Sequence, residues 1–304
     1  MLSGDGIQLP LGFIDLTPAL LGKLPIGNVL FIMRTSLCVY ANSGINGRYK
    51  YKEFVNLQIC AIIVAVRCES MNQYDDPAFF AEYAKMSRSQ YGLEGAGEWY
   101  QLEPLFPELS GKTVLDLGCG YGWHCKYAAD HGAASVLGID QSERMIGEAK
   151  QRNAADCIRY RICSLHDFDY PENQYDLVVS NLVLHYIEDL EEVNRLVHRC
   201  LKPGGTFLFN IEHPTFTAGV NQQFASDGTW PVTDYYYPGE RKTDFLGYEV
   251  KKYHHTLTQI LNGLLQTGFA IEAVVEAMPS VEWRDQMPDE MKRPMMLLVR
   301  ARKQ

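Results

Sequence analysis

Residues Thr113 to Trp123 read Thr-Val-Leu-Asp-Leu-Gly-Cys-Gly-Tyr-Gly-Trp, an apolar strand pattern followed by three alternate glycines. The residues Val114, Leu115 and Leu117 are typical of a strand buried in a parallel sheet. Glycines lack a Cβ atom, so the backbone after this strand can turn sharply and approach a ligand closely. A helix beginning near Trp123 would point the positive end of its dipole at that ligand. The stretch therefore predicts a site for a nucleotide-like molecule.

The spacing of glycines and acids narrows the choice of ligand. Dinucleotide sites use Gly-x-Gly-x-x-Gly, whereas this chain has Gly-x-Gly-x-Gly at residues 118–122, preceded by Asp116 within the strand. A carboxylate there would repel a pyrophosphate but can accept hydrogen bonds from an amino group. The next apolar run, 135–140, ends in Asp140. An acid at the tip of the second strand commonly binds a ribose diol.

Together these features resemble the class I S-adenosylmethionine-dependent methyltransferases, and two later segments extend the resemblance. Residues 175–181, Tyr-Asp-Leu-Val-Val-Ser-Asn, resemble the family's fourth strand. Residues 201–207, Leu-Lys-Pro-Gly-Gly-Thr-Phe, resemble its turn into the fifth. The resemblance runs from about Met71 to the C-terminus. It implies a Rossmann-like α/β fold, with a doubly wound, mostly parallel sheet of seven strands in the order 3-2-1-4-5-7-6 and helices on both faces.

The resemblance also implies which residues bind S-adenosylmethionine. The strand acid and the glycine turn would lie along its methionine part, and the second-strand acid would bind the ribose hydroxyls. An apolar side chain in the next helix and a loop after the third strand would flank the adenine. That loop departs from the family's usual Asp-Ala pair, and core packing or a solvated loop are the alternatives. The implied set is Asp116, Gly118, Gly120, Asp140, Gln141, Met145, Leu165, His166 and Asn181.

Candidate catalytic residues follow the predicted fourth and fifth strands. In an open α/β sheet, ligands lie outside the carboxyl ends of the strands. Imidazole titrates near neutral pH and can remove a proton from a hydroxyl or amine nucleophile. The candidate bases are therefore His185 and His213, together with His254 at the end of the long insertion 215–254, each with a structural role as the alternative. A carbon or tertiary-amine nucleophile would need no base.

Two aromatic-rich regions are candidates for substrate binding. Residues 76–93 have a helical pattern and either pack on the core or close over the cofactor. Residues 215–254 form a long insertion, which we expect to be a substrate cap with a short hairpin at 244–248. Its aromatic faces could stabilise the sulfonium or a basic substrate, or could form a small aromatic core. The substrate-binding candidates are Tyr83, Arg88, Tyr186, Glu212 and Trp230.

The composition restricts the classes of molecule that the protein is expected to bind. The formal net charge of −9 over 304 residues argues against sequence-independent binding of nucleic acid and favours a small-molecule substrate. The eight cysteines show neither Cys-x-x-Cys pairs nor metal-finger spacing, which favours reduced thiols in a cytoplasmic protein and no metal site. We expect a monomer or homodimer.

The first 70 residues differ from the rest, with six Lys or Arg against four Asp or Glu. Arg34 interrupts the apolar run 29–40, and the run 59–66 is far shorter than the roughly 20 residues of a membrane span. No basic segment precedes an apolar core near Met1, so a signal peptide is not indicated. We expect residues 1–70 to be a poorly ordered, non-essential extension, for which a misassigned start codon is one explanation. The methyltransferase domain would span 71–304, with no membrane association.

The predicted reaction is methyl transfer from S-adenosylmethionine to an O, N or C atom of a small molecule by in-line displacement. A nicotinamide dehydrogenase is disfavoured by the glycine spacing and by Asp116. A noncatalytic cofactor-binding module would keep both acids but have a closed cleft. Aminopropyl transfer on the same fold would require paired aspartates where this chain has Ser180 and Asn181.

A chain that begins at Met71 should fold and bind S-adenosylmethionine with the affinity of the full chain, because all the residues implied to bind it follow that position. Circular dichroism and calorimetric titration of both chains would check this. Loss of folding or of binding in the shorter chain would contradict the expectation that residues 1–70 are dispensable.

Overall fold

The computed structural model describes residues 72–219 and 222–304. The expectations for residues 1–70 therefore lie outside the described residues. The α-helices are α1 Pro77–Tyr83, α2 Ser87–Tyr91, α3 Trp99–Leu102, α4 Trp123–Asp130, α5 Glu143–Arg152, α6 Leu190–Cys200, α7 Pro214–Thr217 and α8 Leu257–Thr267. The strands are β1 Thr113–Leu117, β2 Ser135–Asp140, β3 Ile158–Ile162, β4 Tyr175–Asn181, β5 Leu201–Glu212, β6 Gly239–Phe245, β7 Tyr248–His254, β8 Phe269–Ala277 and β9 Met296–Lys303.

Seven strands form one sheet in the order β3-β2-β1-β4-β5-β9-β8, while β6 and β7 pair separately. The first five strands run parallel, and β9 is antiparallel to both β5 and β8. With the separate hairpin left out, this is the predicted order 3-2-1-4-5-7-6. The predicted Rossmann-like fold is confirmed.

Each strand divides its apolar side chains between two cores. In β1, Leu115 and Leu117 pack into a core shared with α6 and α8, whereas Val114 packs into a second core with α3, α4 and α5. Strand β5 follows the same alternation, because successive side chains of a strand point to opposite faces. Helices therefore cover both faces of the sheet, as predicted.

The helices before the sheet are shorter than the sequence pattern predicted. The continuous helical pattern over 76–93 is broken into α1 and α2, since Met86 is extended and Gly92 has a φ of 64°. The segment 98–109 contains only α3 and a 3₁₀ turn at Glu103–Leu105. Pro104 and Pro107 lack the backbone N–H that a continuing helix needs.

Later helices begin and end at capping residues. The Ser142 side chain accepts a hydrogen bond from the Met145 N–H at the start of α5. Thr256 and Gln259 form a capping box at the start of α8, and Gly268 ends that helix with a φ of 98°. These caps satisfy backbone groups that a helix end leaves unpaired.

The segment that follows β5 forms the cap, defined here as residues 213–254. It contains α7, an irregular stretch and the hairpin of β6 and β7, which is present where the sequence predicted it. Along β7, Val250, Lys252 and His254 are buried, while Glu249 and Lys251 face outward. The hairpin thus presents a buried lysine toward the interior.

No helix within the described ranges is long and apolar enough to cross a membrane. Within residues 72–219 and 222–304, no group of three or more His, Cys, Asp or Glu side chains is arranged to hold a metal ion.

Candidate functional site

The glycine turn after β1 has left-handed backbone at three positions. Gly118, Gly120 and Gly122 have φ angles of 73°, 51° and 78°. A Cβ atom on Gly118 would lie 2.3 Å from a methyl of Val183, and one on Gly122 would lie 2.3 Å from the Tyr160 hydroxyl. A Cβ on Gly120 would meet nothing within 4 Å. Two of the glycines therefore permit close packing, and the middle one leaves open space above the turn.

Asp140, at the end of β2, holds the glycine turn in place. Its Oδ2 accepts a hydrogen bond from the Gly120 N–H at 3.0 Å, and its Oδ1 accepts one from Ser142 N–H at 2.9 Å. Burial raises the pKa of Asp140 to about 6, although the two backbone donors oppose that rise. The acid predicted to bind a ribose thus lies directly beside the turn.

Asp116 lies beneath the turn and is fully buried. Its Oδ2 accepts a hydrogen bond from the Cys125 thiol at 3.3 Å. Its Oδ1 has no hydrogen-bond partner within the described part of the chain. Burial raises the pKa of this carboxyl to about 7. A buried oxygen without a donor is an acceptor that a ligand amino group could satisfy.

A cleft opens between the glycine turn and the helices α2 and α3. Among its lining residues are five that the sequence predicted for cofactor or substrate, namely Tyr83, Arg88, Gly118, Gly120 and Asn181. The lining also includes Glu98, Trp123 and His124. The structure therefore brings Tyr83 and Arg88 together with the glycine turn in one cleft. These two side chains do not serve core packing alone.

Arg88 and Glu98 form a two-point ion pair within this cleft. Arg88 Nη1 and Nη2 donate to the two Glu98 carboxylate oxygens at 2.9 and 3.3 Å. Glu98 Oε1 also accepts from Asn210 Nδ2 at 3.3 Å, which ties α3 to β5. The sequence analysis missed Glu98, because a glutamate before a short helix carries no signal that distinguishes it from a solvated one.

Unpaired polar atoms around the cleft fit the amino-acid end of S-adenosylmethionine. Asn181 Oδ1 and Trp123 Nε1 are buried and have no partner among residues 72–219 and 222–304. Together with Asp116 Oδ1 they offer two acceptors, which suit an ammonium group, and one donor, which suits a carboxylate. The donor set and the open space over Gly120 therefore match this cofactor.

The remaining residues of the predicted cofactor-binding set are divided by exposure. Met145 and Leu165 are buried, whereas Gln141 and His166 are exposed. Neither exposed side chain makes a hydrogen bond to another residue that the structure describes. Their contacts with a cofactor stay predictions.

Two of the three candidate bases are held by structural hydrogen bonds. His213 Nδ1 accepts from the Thr215 N–H as the N-cap of α7, and its Nε2 faces Glu276 Oε1 at 3.1 Å. His254 has Thr217 Oγ1 at 2.7 Å from Nδ1 and the Tyr235 carbonyl at 2.9 Å from Nε2. Both ring nitrogens of His254 have hydrogen-bond partners, whereas His213 Nε2 has none among the residues described. A base role for either histidine stays a prediction.

His185 differs from the other two histidines. Its Nε2 lies 3.7 Å from Glu212 Oε1, and its buried Nδ1 has no partner within the described ranges. Burial lowers the pKa of His185 to about 4, while the neighbouring Glu212 charge opposes that shift. The imidazole is therefore neutral at neutral pH and has a lone pair to offer.

Glu212 and Tyr186 complete the surroundings of His185. Glu212 Oε1 accepts from Lys252 Nζ at 2.6 Å, whereas its Oε2 has no partner among the residues described. The Tyr186 hydroxyl lies 3.0 Å from that of Tyr74, and its ring contacts the His185 ring. Lys252 was missed because alternation along β7 does not reveal which of two adjacent lysines points inward.

Trp230 belongs to an aromatic cluster in the cap. Its Nε1 donates to the Thr215 carbonyl at 3.0 Å, and its ring stacks on Phe216. The guanidinium carbon of Arg293 lies 4.3 Å from the centre of the Trp230 ring. The cluster thus combines the predicted aromatic core with a cation of the protein itself, and a substrate contact of Trp230 stays a prediction.

Comparisons with known proteins identify similar methyltransferases. A family model described as a methyltransferase domain matches residues 115–209. An S-adenosylmethionine-dependent methyltransferase from Mesorhizobium loti is 42% identical, with a TM-score of 0.66 over 70% of this chain and 100% of the other. A Listeria monocytogenes protein described as such a methyltransferase is 45% identical, with a TM-score of 0.67 over 70% and 99%. A Haemophilus influenzae protein of uncharacterised function is 30% identical over 76% of this chain and 96% of its own.

Burial of Asp116 should make stability fall as the pH rises. Its pKa is raised from 3.8 to about 7, so between these values the folded state holds the proton more tightly than the unfolded state. Asp116→Asn cannot titrate and should reduce the decline in unfolding free energy by up to about 1.4 kcal/mol per pH unit. Urea unfolding at pH 5, 6 and 7 would measure this. Asp130→Asn, at an exposed position, is the control, and an equal slope in both variants would contradict the prediction.

Proposed function

The chain belongs to the S-adenosylmethionine-dependent methyltransferases, and from that premise we propose that it methylates a small-molecule nucleophile. The observation that carries the proposal is the position of His185. This buried histidine with a free Nδ1 follows β4, the strand that ends at the cofactor cleft with Asn181. The acceptor atom would bind between that histidine and the methyl donor.

The chain's main contribution to such a reaction is positioning. S-adenosylmethionine, when bound, supplies the methyl group and a sulfur leaving group. Asp140 and the glycine turn would fix the nucleoside end, and the cleft that contains Arg88 and Asn181 would hold the amino-acid end. Holding the reacting atoms in line can lower the barrier by roughly 7–11 kcal/mol.

His185 would act as the general base for an O–H or N–H nucleophile. As the nucleophile bonds to the methyl carbon and the carbon–sulfur bond breaks, the nucleophile's proton would pass to His185 Nδ1. Glu212, 3.7 Å from Nε2, would stabilise the resulting imidazolium. The low pKa of the buried ring keeps Nδ1 unprotonated before the reaction.

A small acceptor is supported by the way the cap encloses the sheet edge. The buried Lys252 of the cap hairpin donates to Glu212 at the end of β5, which leaves little room for a macromolecule beside His185. The net charge of −9 also disfavours a nucleic-acid acceptor. We further propose that the protein is cytoplasmic, since Cys119, Cys125, Cys157, Cys163 and Cys200 are free thiols. We also propose that it is a monomer or homodimer.

Asp140→Ala should weaken binding of S-adenosylhomocysteine at least about tenfold, because a charge-assisted hydrogen bond to a ribose contributes roughly 1.5–3 kcal/mol. Isothermal titration calorimetry would measure the dissociation constant. Asp140→Asn keeps the shape of the side chain and tests whether disturbance of the glycine turn contributes to the loss of affinity. Asp130→Ala serves as the control, and equal affinities in all four proteins would contradict a cofactor role for Asp140.

His185→Gln should lower kcat by roughly 10²–10⁴ for an acceptor with an O–H or N–H nucleophile, because general-base catalysis contributes about that factor. The measurement is transfer of labelled methyl to acceptors found in a small-molecule screen. The affinity for S-adenosylhomocysteine should not change. His198→Gln, on α6 beside Phe269, is the matched control. An unchanged kcat in His185→Gln would contradict its role as the base.

A further inference from the structure

Arg293 is a cation held against the cap by aromatic rings. It lies in the segment between β8 and β9, and its guanidinium carbon is 4.3 Å from the ring centre of Trp230 and 4.6 Å from that of Phe216. A third ring, Phe224, lies at 5.6 Å. Three rings restrict the guanidinium to one region and stabilise its charge.

The guanidinium lacks acceptors for its buried donors. Arg293 Nε and Nη1 are buried, and neither has a hydrogen-bond partner within residues 72–219 and 222–304. The charges of Glu290, Asp289 and Glu212 act on Arg293, yet none of the three forms an ion pair with it. Buried N–H groups without an acceptor are costly, so this position favours a ligand that supplies one.

Glu212 has a buried acceptor atom without a hydrogen-bond donor, the converse of Arg293. Its Oε1 is taken by Lys252 and lies near His185, but its Oε2 is buried without a donor in the part of the chain that the structure describes. Lys252 Nζ lies 6.0 Å from the centre of the Phe216 ring, which also contacts Arg293. The Phe216 ring therefore lies near both Arg293 and Lys252, the lysine that binds Glu212.

We propose that the methyl acceptor is a small carboxylic acid that carries an O–H or N–H group beside its carboxylate. Arg293 binds the carboxylate, and Glu212 Oε2 accepts a hydrogen bond from that O–H or N–H group, which is distinct from the atom that gives its proton to His185. This assignment rests on the proposed methyl transfer and adds the chemical class of its acceptor.

The charge balance favours a carboxylate over a phosphate. Lys252 is already neutralised by Glu212 at 2.6 Å, whereas Arg293 forms no ion pair with the residues described and can pair with a ligand at this edge of the cap. One guanidinium matches the single charge and two oxygens of a carboxylate. A phosphate dianion would leave an uncompensated negative charge beside Glu212, which is unfavourable in a buried site.

The test is binding of matched probes to the full chain saturated with S-adenosylhomocysteine. The probes are glycolate and salicylate, each compared with its primary amide, glycolamide and salicylamide. Calorimetry or ligand-observed NMR would give the dissociation constants. At least one acid should bind roughly tenfold or more tightly than its amide, because a charge-assisted hydrogen bond contributes about 1.5–3 kcal/mol.

Variants connect that preference with Arg293. Arg293→Gln should abolish the preference for the acid, and Arg293→Lys should retain part of it through its charge. Lys242→Gln removes an exposed cation of the cap hairpin, which pairs with Glu249 at the surface, and should keep the preference in full. Titration of S-adenosylhomocysteine into each variant shows that it is folded.

Two results would overturn the assignment. One is the absence of any acid preference in the native chain, including the case in which no probe binds. The other is a preference that survives in Arg293→Gln. Binding of S-adenosylhomocysteine in those experiments would leave the methyltransferase proposal intact. A native chain that did not bind S-adenosylhomocysteine would instead contradict the proposed function, and this assignment with it.

Discussion

The site depends on one hydrogen bond, from the Gly120 N–H to the Asp140 carboxylate. It forms because β1 and β2 pair in parallel with Leu117 opposite Ile139, which brings the end of β2 beside the turn that leaves β1. A shift of one residue in that register would turn the Asp140 side chain to the other face of the sheet. The cleft, the buried Asp116 beneath it and the start of α4 all take their positions from this turn. Strand pairing in the core therefore determines the geometry of ligand binding.

Much of the fold could be predicted because its signals are local. The buried strands, the cap hairpin, the Ser142 N-cap and the Gly268 C-cap each follow from residue types at fixed spacing. The helix α3 ends just before Pro104, and the sequence itself shows the two prolines, Pro104 and Pro107, that break the helical pattern there. Lys252 could not be identified from the sequence as a buried residue, since Lys251 and Lys252 are neighbours of the same type. Only the register of β7 determines which one is buried.

The three candidate histidines show that a position near the end of a strand does not by itself identify a catalytic base. The sequence analysis expected all of them near the ligand-facing edge, and all three are buried. What separates them is the group opposite each ring nitrogen. A hydroxyl and a backbone carbonyl lie at hydrogen-bond distance from the two ring nitrogens of His254, and the start of α7 uses Nδ1 of His213 as a cap. Of the three histidines, His185 alone keeps Nδ1 unpaired among the residues described. Such partners come from distant segments, so no local pattern reports them.

The ion pair between Lys252 and Glu212 couples water exclusion to the position of the cap. Both side chains are almost fully buried, and an ion pair gains most of its strength where water is absent. Any movement that lifted the β6–β7 hairpin from β5 would separate the two charges and hydrate them. The electric field at His185 would then weaken together with the loss of enclosure. The enclosure of His185 and the low polarity of its surroundings therefore depend on the same contact between the hairpin and β5.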